Sequence, residues 1–365
     1  MKTILHLFTS GSNVYANEFI SFIVKNKSVR AYWKHYFISL SSKESYSPLG
    51  HLFTLTKDAF SSYPQWIMHL LFKLKKADLI IVHGLFSIVY EFLLAIFPSI
   101  SKKVIWIIWG GDLYNPLLRR DKNAFDRLSI FRRALIHNAK GFASIFPKDL
   151  EIVKRIYQPK GRYFEVFYPN PLNFDLLEEA LYEIDKKSKH GVRILLGNSS
   201  SITNNHFEAI DYVSRNSNLS NQEVLCPLAY GDKFLAERVI RYGKTKIGKQ
   251  FTPIVKFCKP VDYARFLSTI DIAIMYHQRP QAAGTIFALL YLGKSVFLKK
   301  SNPLFLWLKS KKINVYAVET TNFSDFLSTR VRQVNSSYAE HQAILKQIFG
   351  ISNCVQLWVS LFDQS

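Results

Sequence analysis

Short apolar runs alternate along this chain with longer stretches in which apolar positions recur every three or four residues. That rhythm predicts strands at the runs and helices at the stretches. In the first half the expected strands are Thr3–Phe8, Tyr36–Leu40, Leu52–Leu55, Asp78–Val82, Val104–Trp109 and Gly141–Ile145. Helices are expected over Asn17–Lys25, Gln65–Lys75, Ile88–Phe97 and Phe125–His137. Tyr168-Pro-Asn-Pro171 breaks the pattern, because a proline neither donates to a ladder nor continues a helix, and charged Glu178–His190 reads as a linker. The rhythm then restarts. Strands are expected at Val192–Leu196, Glu223–Pro227, Ile254–Phe257, Asp271–Met275 and Ser295–Leu298. Helices are expected over Asn205–Arg215, Lys233–Tyr242, Pro260–Thr269 and Thr285–Leu292, with helical character from Phe323 onward. The reading is an α/β protein of two Rossmann-like domains facing across a cleft, residues 1–172 and 191–330, followed by C-terminal helices in 331–365.

Two segments invite a different assignment. Met1–Phe8 begins like a signal peptide, but its apolar run stops at Thr9-Ser10-Gly11, so a first buried strand is expected. Leu79–Pro98 has about the length of a membrane span. It contains His83, Gly84 and Glu91 and divides naturally into a strand and a helix, which is the reading adopted.

Composition adds a partner class. Hydrophobic residues make up 48% and aromatics 15%, which excludes a disordered chain. Lys and Arg number 48 against 27 acids, a formal charge of +21, so an anionic partner is expected: nucleic acid, an acidic membrane surface or a phosphorylated substrate. Cys226, Cys258 and Cys354 show no CxxC spacing and read as reduced thiols of a cytoplasmic protein.

The strongest chemical signal is Val192-Arg-Ile-Leu-Leu-Gly-Asn-Ser-Ser-Ser-Ile-Thr-Asn-Asn-His206. A strand ends in Gly197 and Asn198, and a hydroxyl-rich turn leads to a helix whose first N–H groups lack partners. Those donors, with Ser199, Ser200, Ser201 and Thr203 around them, suit a phosphate or diphosphate. A second loop, Tyr276-His-Gln-Arg-Pro-Gln-Ala-Ala-Gly-Thr285, brings Arg279 and Gln281 toward Gly284 and Thr285 at another helix start. Together the loops can hold a diphosphate and stabilise it as a leaving group without a metal. Each alone also reads as an ordinary turn built of Gly and Ser. No GxGxxG, GxxxxGK[ST] or GxSxG occurs, which argues against dinucleotide, P-loop and serine-nucleophile enzymes. HxH, HExxH and DxD triplets are absent too, so no metal or other cofactor is expected.

In the first half, Val82-His-Gly84 and Ile108-Trp-Gly-Gly-Asp-Leu-Tyr114 end two expected strands. Gly110 and Gly111 allow a sharp turn aiming Asp112 into the cleft, where Asp112 or His83 can take the proton of an attacking hydroxyl. The plainer readings are Asp112 as a helix cap and His83 as a polar strand end. Trp109 can stack on a sugar ring, and His6, Asn13 and Tyr114 are placed with it on the acceptor side. Two basic, apolar-rich stretches lie in the same half. Tyr63–Lys76 carries Trp66, Lys73, Lys75 and Lys76, and Leu117–Lys140 carries Arg119, Arg120, Arg127, Arg132 and Arg133 among its seven cations. Both read either as helices packed on their own domain or as helices lying on an anionic bilayer.

Trp106-Ile-Ile-Trp-Gly-Gly-Asp-Leu-Tyr114 and Ile194-Leu-Leu-Gly-Asn-Ser-Ser-Ser-Ile-Thr-Asn-Asn-His206 resemble a known bacterial family. His83-Gly84 with Phe86, Phe167-Tyr168-Pro169, the Asp271 strand with Gly284-Thr285, and Asn302-Pro303 follow in the same order. The chain is similar to the 4-acetamido-4,6-dideoxygalactosyltransferases of enterobacterial common antigen assembly, glycosyltransferase family 56. The resemblance implies a GT-B architecture and a dTDP-activated amino-deoxysugar donor. It further implies a polyprenyl-diphosphate-linked saccharide acceptor at the cytoplasmic face of the inner membrane, with the protein peripheral. Ala282-Ala-Gly-Thr285 stands where the family usually has Gly-Ile-Gly-Thr, and the loop Thr9–Asn17 and the uncharged stretch Gly197–Asn205 also depart from it. An O-antigen or capsule transferase using another dTDP- or UDP-sugar is the alternative within enzymes. A basic nucleic-acid-binding protein is the alternative from another class, disfavoured by the lack of any nucleic-acid motif.

Overall fold

The computed structural model describes residues 2–8, 13–39, 54–55, 63–118, 122–169, 172–184, 191–216, 222–329 and 338–365. The chain forms two units, Met1–Asn170 with Ile351–Ser365, and Pro171–Gly350.

The first unit is built on a seven-stranded sheet of β1 (Lys2–Phe8), β2 (Trp33–Ser39), β3 (Thr54–Leu55), β4 (Leu79–His83), β5 (Val104–Ile107), β6 (Gly141–Ala143) and β7 (Arg162–Phe164), in the order β3-β2-β1-β4-β5-β6-β7. Every pair is parallel. Strands covered on both faces read as near-continuous apolar runs, as Leu-Ile-Ile-Val in β4 and Val-Ile-Trp-Ile in β5 do. Alternation divides the side chains between two layers. Leu5, Leu7, Ile80, Val82, Val104 and Trp106 face the core formed with helices Tyr63–Lys76 and Ile88–Ala95. On the other face, His6 and Phe8 meet Phe19 of helix Asn13–Lys25, and Phe362 of helix Ile351–Asp363 lies against His6.

The second unit repeats the plan with β8 (Val192–Leu196), β9 (Gln222–Pro227), β10 (Phe251–Ile254), β11 (Ile272–Met275), β12 (Ser295–Leu298) and β13 (Tyr316–Ala317), ordered β10-β9-β8-β11-β12-β13 and again parallel throughout. Its core joins Ile194, Leu196, Val224, Ile272, Ile274 and Phe297 to helices His206–Asn216 and Lys233–Ile247.

Several expectations change. The strand expected at Ile254–Phe257 lies earlier, at Phe251–Ile254, and Val255 and Phe257 are exposed beyond it. The charged stretch taken as a linker begins inside helix Phe174–Ile184, which belongs to the second unit: Tyr291 donates to Glu178 at 2.7 Å, and Arg265 pairs with Glu183 at 2.8 Å. The C-terminal helices are not one segment. Helix Tyr338–Phe349 stays with the second unit, where Phe349 packs 4.5 Å from Phe287. Helix Ile351–Asp363 returns to the first, where the Trp358 indole donates to the Phe167 carbonyl at 2.9 Å. The Leu52–Leu55 strand is described only at Thr54–Leu55, and the short edge strands β7 and β13 went unread. Leu79–Pro98 divides into β4 and helix Ile88–Ala95, and no helix among the described residues is long and apolar enough to cross a membrane.

Candidate active site

In each sheet the chain reverses its direction of strand addition once, at β8/β11 and at β1/β4. Loops leaving the carboxyl ends of such a pair diverge, and the crevice they leave is where open α/β sheets bind ligands. Both phosphate-type loops read from the sequence leave the β8/β11 pair.

Gly197 turns the chain off β8 with φ +69°, a conformation suited to glycine, while its N–H still donates to Ile274 of β11 at 3.0 Å. A side chain at 197 would lie 3.0 Å from Asn204 Oδ1 and 3.2 Å from His206 Nε2. Asn204 folds the loop on itself: Oδ1 accepts from Asn198 N–H at 3.2 Å, and Nδ2 donates to the Ser199 carbonyl at 2.8 Å. Side chains then join the two loops. Thr203 donates to Gln281 Oε1 at 2.5 Å, Gln281 Nε2 donates to Asn198 Oδ1 at 3.0 Å, and Asn198 Nδ2 donates to the Tyr230 hydroxyl at 2.8 Å. Beyond Gln281, Ala282 adopts φ 55° and opens helix Ala283–Tyr291. The N–H groups of Ala283, Gly284 and Thr285 precede the first bond of that helix, from Ile286 to Ala282. Thr285 is hydrogen-bonded to Tyr263 at 3.1 Å, and Arg279 is half-buried.

Gly197, Asn198, Ser199, Thr203 and Gln281 are therefore brought together, with Gly284 and Thr285 in the adjoining first turn. Ser200 instead anchors the loop: its N–H and hydroxyl both donate to the Tyr230 carbonyl at 2.9 Å, which ties the loop to the turn after β9. Tyr230, His206 and His277 were not singled out from the sequence. His277 is fully buried, with neither ring nitrogen hydrogen-bonded among the described residues, and His206 Nε2 is in the same condition. Burial, with Arg279 and His206 nearby, holds His277 neutral with a pKa of about 3. The only sequence signal for these two histidines is their place, His206 directly after Asn205 and His277 directly after Tyr276, at the ends of the two loops.

At β1/β4 the structure corrects several assignments. Asp112 is 2% exposed and both carboxylate oxygens are engaged. Oδ2 accepts from Leu85 N–H at 2.9 Å and Trp106 Nε1 at 2.7 Å; Oδ1 accepts from Trp109 N–H at 3.0 Å and Leu113 N–H at 3.1 Å. Burial raises its pKa against the pull of those donors and of Arg132. A carboxylate so surrounded fixes two strand-end loops and offers no free lone pair to a substrate, which argues against Asp112 as the base. Tyr114 is buried and donates to Asp149 at 2.7 Å, which removes it from the acceptor side. His6 is fully buried as well, hydrogen-bonded through Nδ1 to His83 Nε2 at 3.0 Å. His83, the last residue of β4, is bonded through Nδ1 to the Tyr168 hydroxyl. Trp109 remains partly exposed, its ring edge-on to Phe86 at 6.0 Å and to Tyr168 at 5.4 Å. The Asn13 side chain lies outside the described residues.

Two of the proposed membrane contacts also change. Trp66 is 2% exposed and packs in the core near Tyr90. Arg132 is turned inward, donating to the Asp112 carbonyl at 2.7 Å and pairing with Glu91 at 2.5 Å. Lys75, Lys76 and Arg133 are exposed and Lys73 is half-buried. Arg119, Arg120 and the Arg127 side chain lie outside the described residues.

Two parallel α/β units of this kind are the GT-B fold of glycosyltransferases. The fold is shared, at low identity, with HepE of Anabaena in complex with UDP and glucose (TM-score 0.69, 12% identity, all of both chains). It is shared equally with sucrose-phosphate synthase of Thermosynechococcus elongatus (0.69, 11%, all of both chains). WaaG, a glycosyltransferase involved in lipopolysaccharide biosynthesis, matches at 0.63 and 10% over 99% of each chain. A family model described as 4-alpha-L-fucosyltransferase, glycosyl transferase group 56, matches residues 1–362. The chain belongs to that family and is a glycosyltransferase.

The buried histidines set a pH dependence. His35 and His206 are lowered to about 4 and His277 to about 3 by burial, and His6 and His83 also fall well below the ordinary value. Unfolded, each titrates near 6.5. Because the folded values are depressed, the unfolded chain binds more protons, and stability is lost as pH falls from about 6.5 toward 4, by up to ~1.4 kcal/mol per pH unit per histidine. Asp149, pushed up to about 6 by burial, and the raised Asp112 act in the opposite sense but are fewer. The denaturation midpoint is expected to drop markedly between about pH 7.5 and 5.5; a constant or rising midpoint contradicts the neutral assignment.

Proposed function

We propose that the enzyme moves an amino-deoxysugar, 4-acetamido-4,6-dideoxygalactose or a close relative, from a dTDP-sugar to a polyprenyl-diphosphate-linked saccharide. The observation that carries the donor assignment is the side-chain bridge Thr203–Gln281–Asn198 joining the loops after β8 and β11. It holds the hydroxyl-rich loop after Gly197 beside the open first turn at Ala283–Thr285, so the backbone donors of that turn are fixed in advance for a diphosphate. HepE, of the same fold, is seen with UDP and glucose, which supports a nucleotide sugar as the ligand class. Diphosphate departure is then assisted by these N–H groups and Arg279, with no metal required. An O-antigen or capsule transferase using another dTDP- or UDP-sugar is served by the same loops. For the acceptor, Trp109 supplies an aromatic face, and His83 replaces Asp112 as the candidate proton acceptor.

A membrane surface fits the outer face of the first unit. Helices Tyr63–Lys76 and Ile88–Ala95 join the same core of the first sheet, and Phe92 contacts Phe131 of helix Lys122–Asn138 at 5.0 Å. Outward they present Met68 (71% exposed), Phe72, Ile88, Phe92 and Ile130 (66%), with Lys75, Lys76, Lys102 and Arg133 among or beside them. Apolar side chains rimmed by cations suit an anionic bilayer, where a lipid-linked acceptor resides.

Thermal stabilisation by free nucleotides tests the donor site. At a hundredfold excess over Kd, dTDP or UDP should add ~2.7 kcal/mol, and Gln281→Ala should weaken binding about tenfold. Stabilisation by short oligonucleotides alone, with none by nucleoside diphosphates, sinks the proposal in favour of nucleic-acid binding. For the surface, Phe72→Glu with Phe92→Glu should cut co-sedimentation with anionic vesicles by about tenfold or more while leaving nucleotide binding intact. Equal sedimentation of variant and parent excludes this face.

A further inference from the structure

Within the second unit, one aromatic ring stands beside the phosphate-type loops without being buried by them. Tyr230 lies in the connection from β9 to helix Lys233–Ile247 and is 54% exposed. Despite that exposure it is tied at both ends. Its hydroxyl accepts from Asn198 Nδ2 at 2.8 Å, and its carbonyl accepts from the Ser200 N–H and hydroxyl, each at 2.9 Å. The Asp232 N–H returns a bond to the Ser200 carbonyl at 2.9 Å. Gly231, between them, has φ +112°, and a side chain there would lie 2.6 Å from the Ser200 carbonyl oxygen, so glycine is what lets the two turns close on each other.

An aromatic ring fixed in place yet left in water forgoes the burial such rings ordinarily gain, and little further entropy is lost when a flat partner covers it. Phe234 and Phe257, on neighbouring segments, are more exposed at 80% each, but a phenyl ring has no polar atom by which the loops could fix it. Strand order also places Tyr230 within the reach of a long ligand. The sheet runs β10-β9-β8-β11, so a ligand whose diphosphate rests on the first turn after β11 meets the connection after β9 by crossing the loop after β8. Asn198 marks that crossing: its Oδ1 accepts from Gln281, next to that first turn, and its Nδ2 donates to Tyr230.

We infer that the Tyr230 ring is the platform on which the base of the donor nucleotide stacks, with Asn198 and Ser200 positioning it. The inference rests on the nucleotide-sugar reading above. Of the donor's two halves, the sugar must leave its anomeric carbon open to an attacking hydroxyl. The base carries no reacting atom, so laying it against the unit's own loop adds binding energy remote from the chemistry and obstructs nothing. Every base presents a flat π face, so this contact sets affinity for the nucleotide without choosing between thymine and uracil. Tyr230 is thus a binding residue: its ring meets the ligand, and its hydroxyl and carbonyl are occupied in holding the ring still.

Calorimetric titration of the full chain with dTDP, a dTDP-sugar and inorganic diphosphate tests the platform. Inorganic diphosphate has no base and reports the loops alone. Tyr230→Ala is expected to weaken dTDP about tenfold or more, the loss of one base–aromatic stack, with inorganic diphosphate held within about twofold of the parent. Tyr230→Phe, which keeps the ring and gives up only its anchor to Asn198, is expected to bind dTDP within about threefold of the parent. Equal loss of dTDP and inorganic diphosphate in Tyr230→Ala, or loss of neither, overturns the inference. Tyr230→Phe as weak as Tyr230→Ala overturns it too, because the hydroxyl rather than the ring would then be the contributor. Loss confined to the dTDP-sugar would put the sugar on the ring and overturns it as well. In each of these cases dTDP binding by the parent leaves the proposed function standing, whereas a parent that binds no nucleoside diphosphate overturns both.

Discussion

Because every ladder in both sheets is parallel, each strand must be followed by a crossover before the next can pair. That constraint sends all the loops after strands to one edge of each sheet. It also means that a sheet growing first one way and then the other has a single pair of neighbours whose loops diverge. In the second unit that pair is β8/β11, and the loops that diverge there are the two richest in phosphate-type features. In the first unit it is β1/β4, where His6 and His83 sit on adjacent strands. The candidate site residues thus owe their positions to strand order.

Buried polar groups then make each edge rigid. Asp112 gathers Leu85, Trp106, Trp109 and Leu113 onto one carboxylate, while Arg132 holds the neighbouring Leu85 and Asp112 carbonyls. Leaving any of those donors unpaired in the interior would cost about 1–3 kcal/mol, so the network defines one loop geometry. Asn204 and Gln281 do the corresponding work in the second unit with neutral amides. Neutral closure is compatible with the proposed diphosphate ligand, which a fixed carboxylate there would repel.

Much of this was legible in the sequence for physical reasons that differ from place to place. The long strands announced themselves because burial on both faces demands continuous apolar runs. The loop after β8 was visible because Gly197 and the hydroxyls beside it are what a strand-to-helix phosphate turn requires. The loop-fixing part of Asp112 was not legible, because its donors come from residues up to 27 positions away and only the fold brings Leu85 to it. Trp66 misled because helix Tyr63–Lys76 is apolar on both sides; Trp66, Leu70 and Leu74 at successive turns take the core, leaving Met68 and Phe72 outside. The return of helix Ile351–Asp363 to the first unit depends on Trp358 meeting Phe167 across 191 positions, which no local pattern records. His277 stands just past the end of β11 in a polar loop, and its burial there comes from the fold rather than from any local pattern.

The central claim is that this edge of the second unit delivers a sugar from a nucleotide to a lipid-linked acceptor, and the direct measurement is product formation. Purified enzyme would be incubated with dTDP- and UDP-sugars, with and without a polyprenyl-diphosphate-linked saccharide, and both products followed by mass spectrometry. The account predicts nucleoside diphosphate release only when donor and acceptor are both present, matched mole for mole by an acceptor heavier by one sugar. Release without the acceptor gaining mass, or sugar transferred only to acceptors lacking the lipid diphosphate, would contradict it.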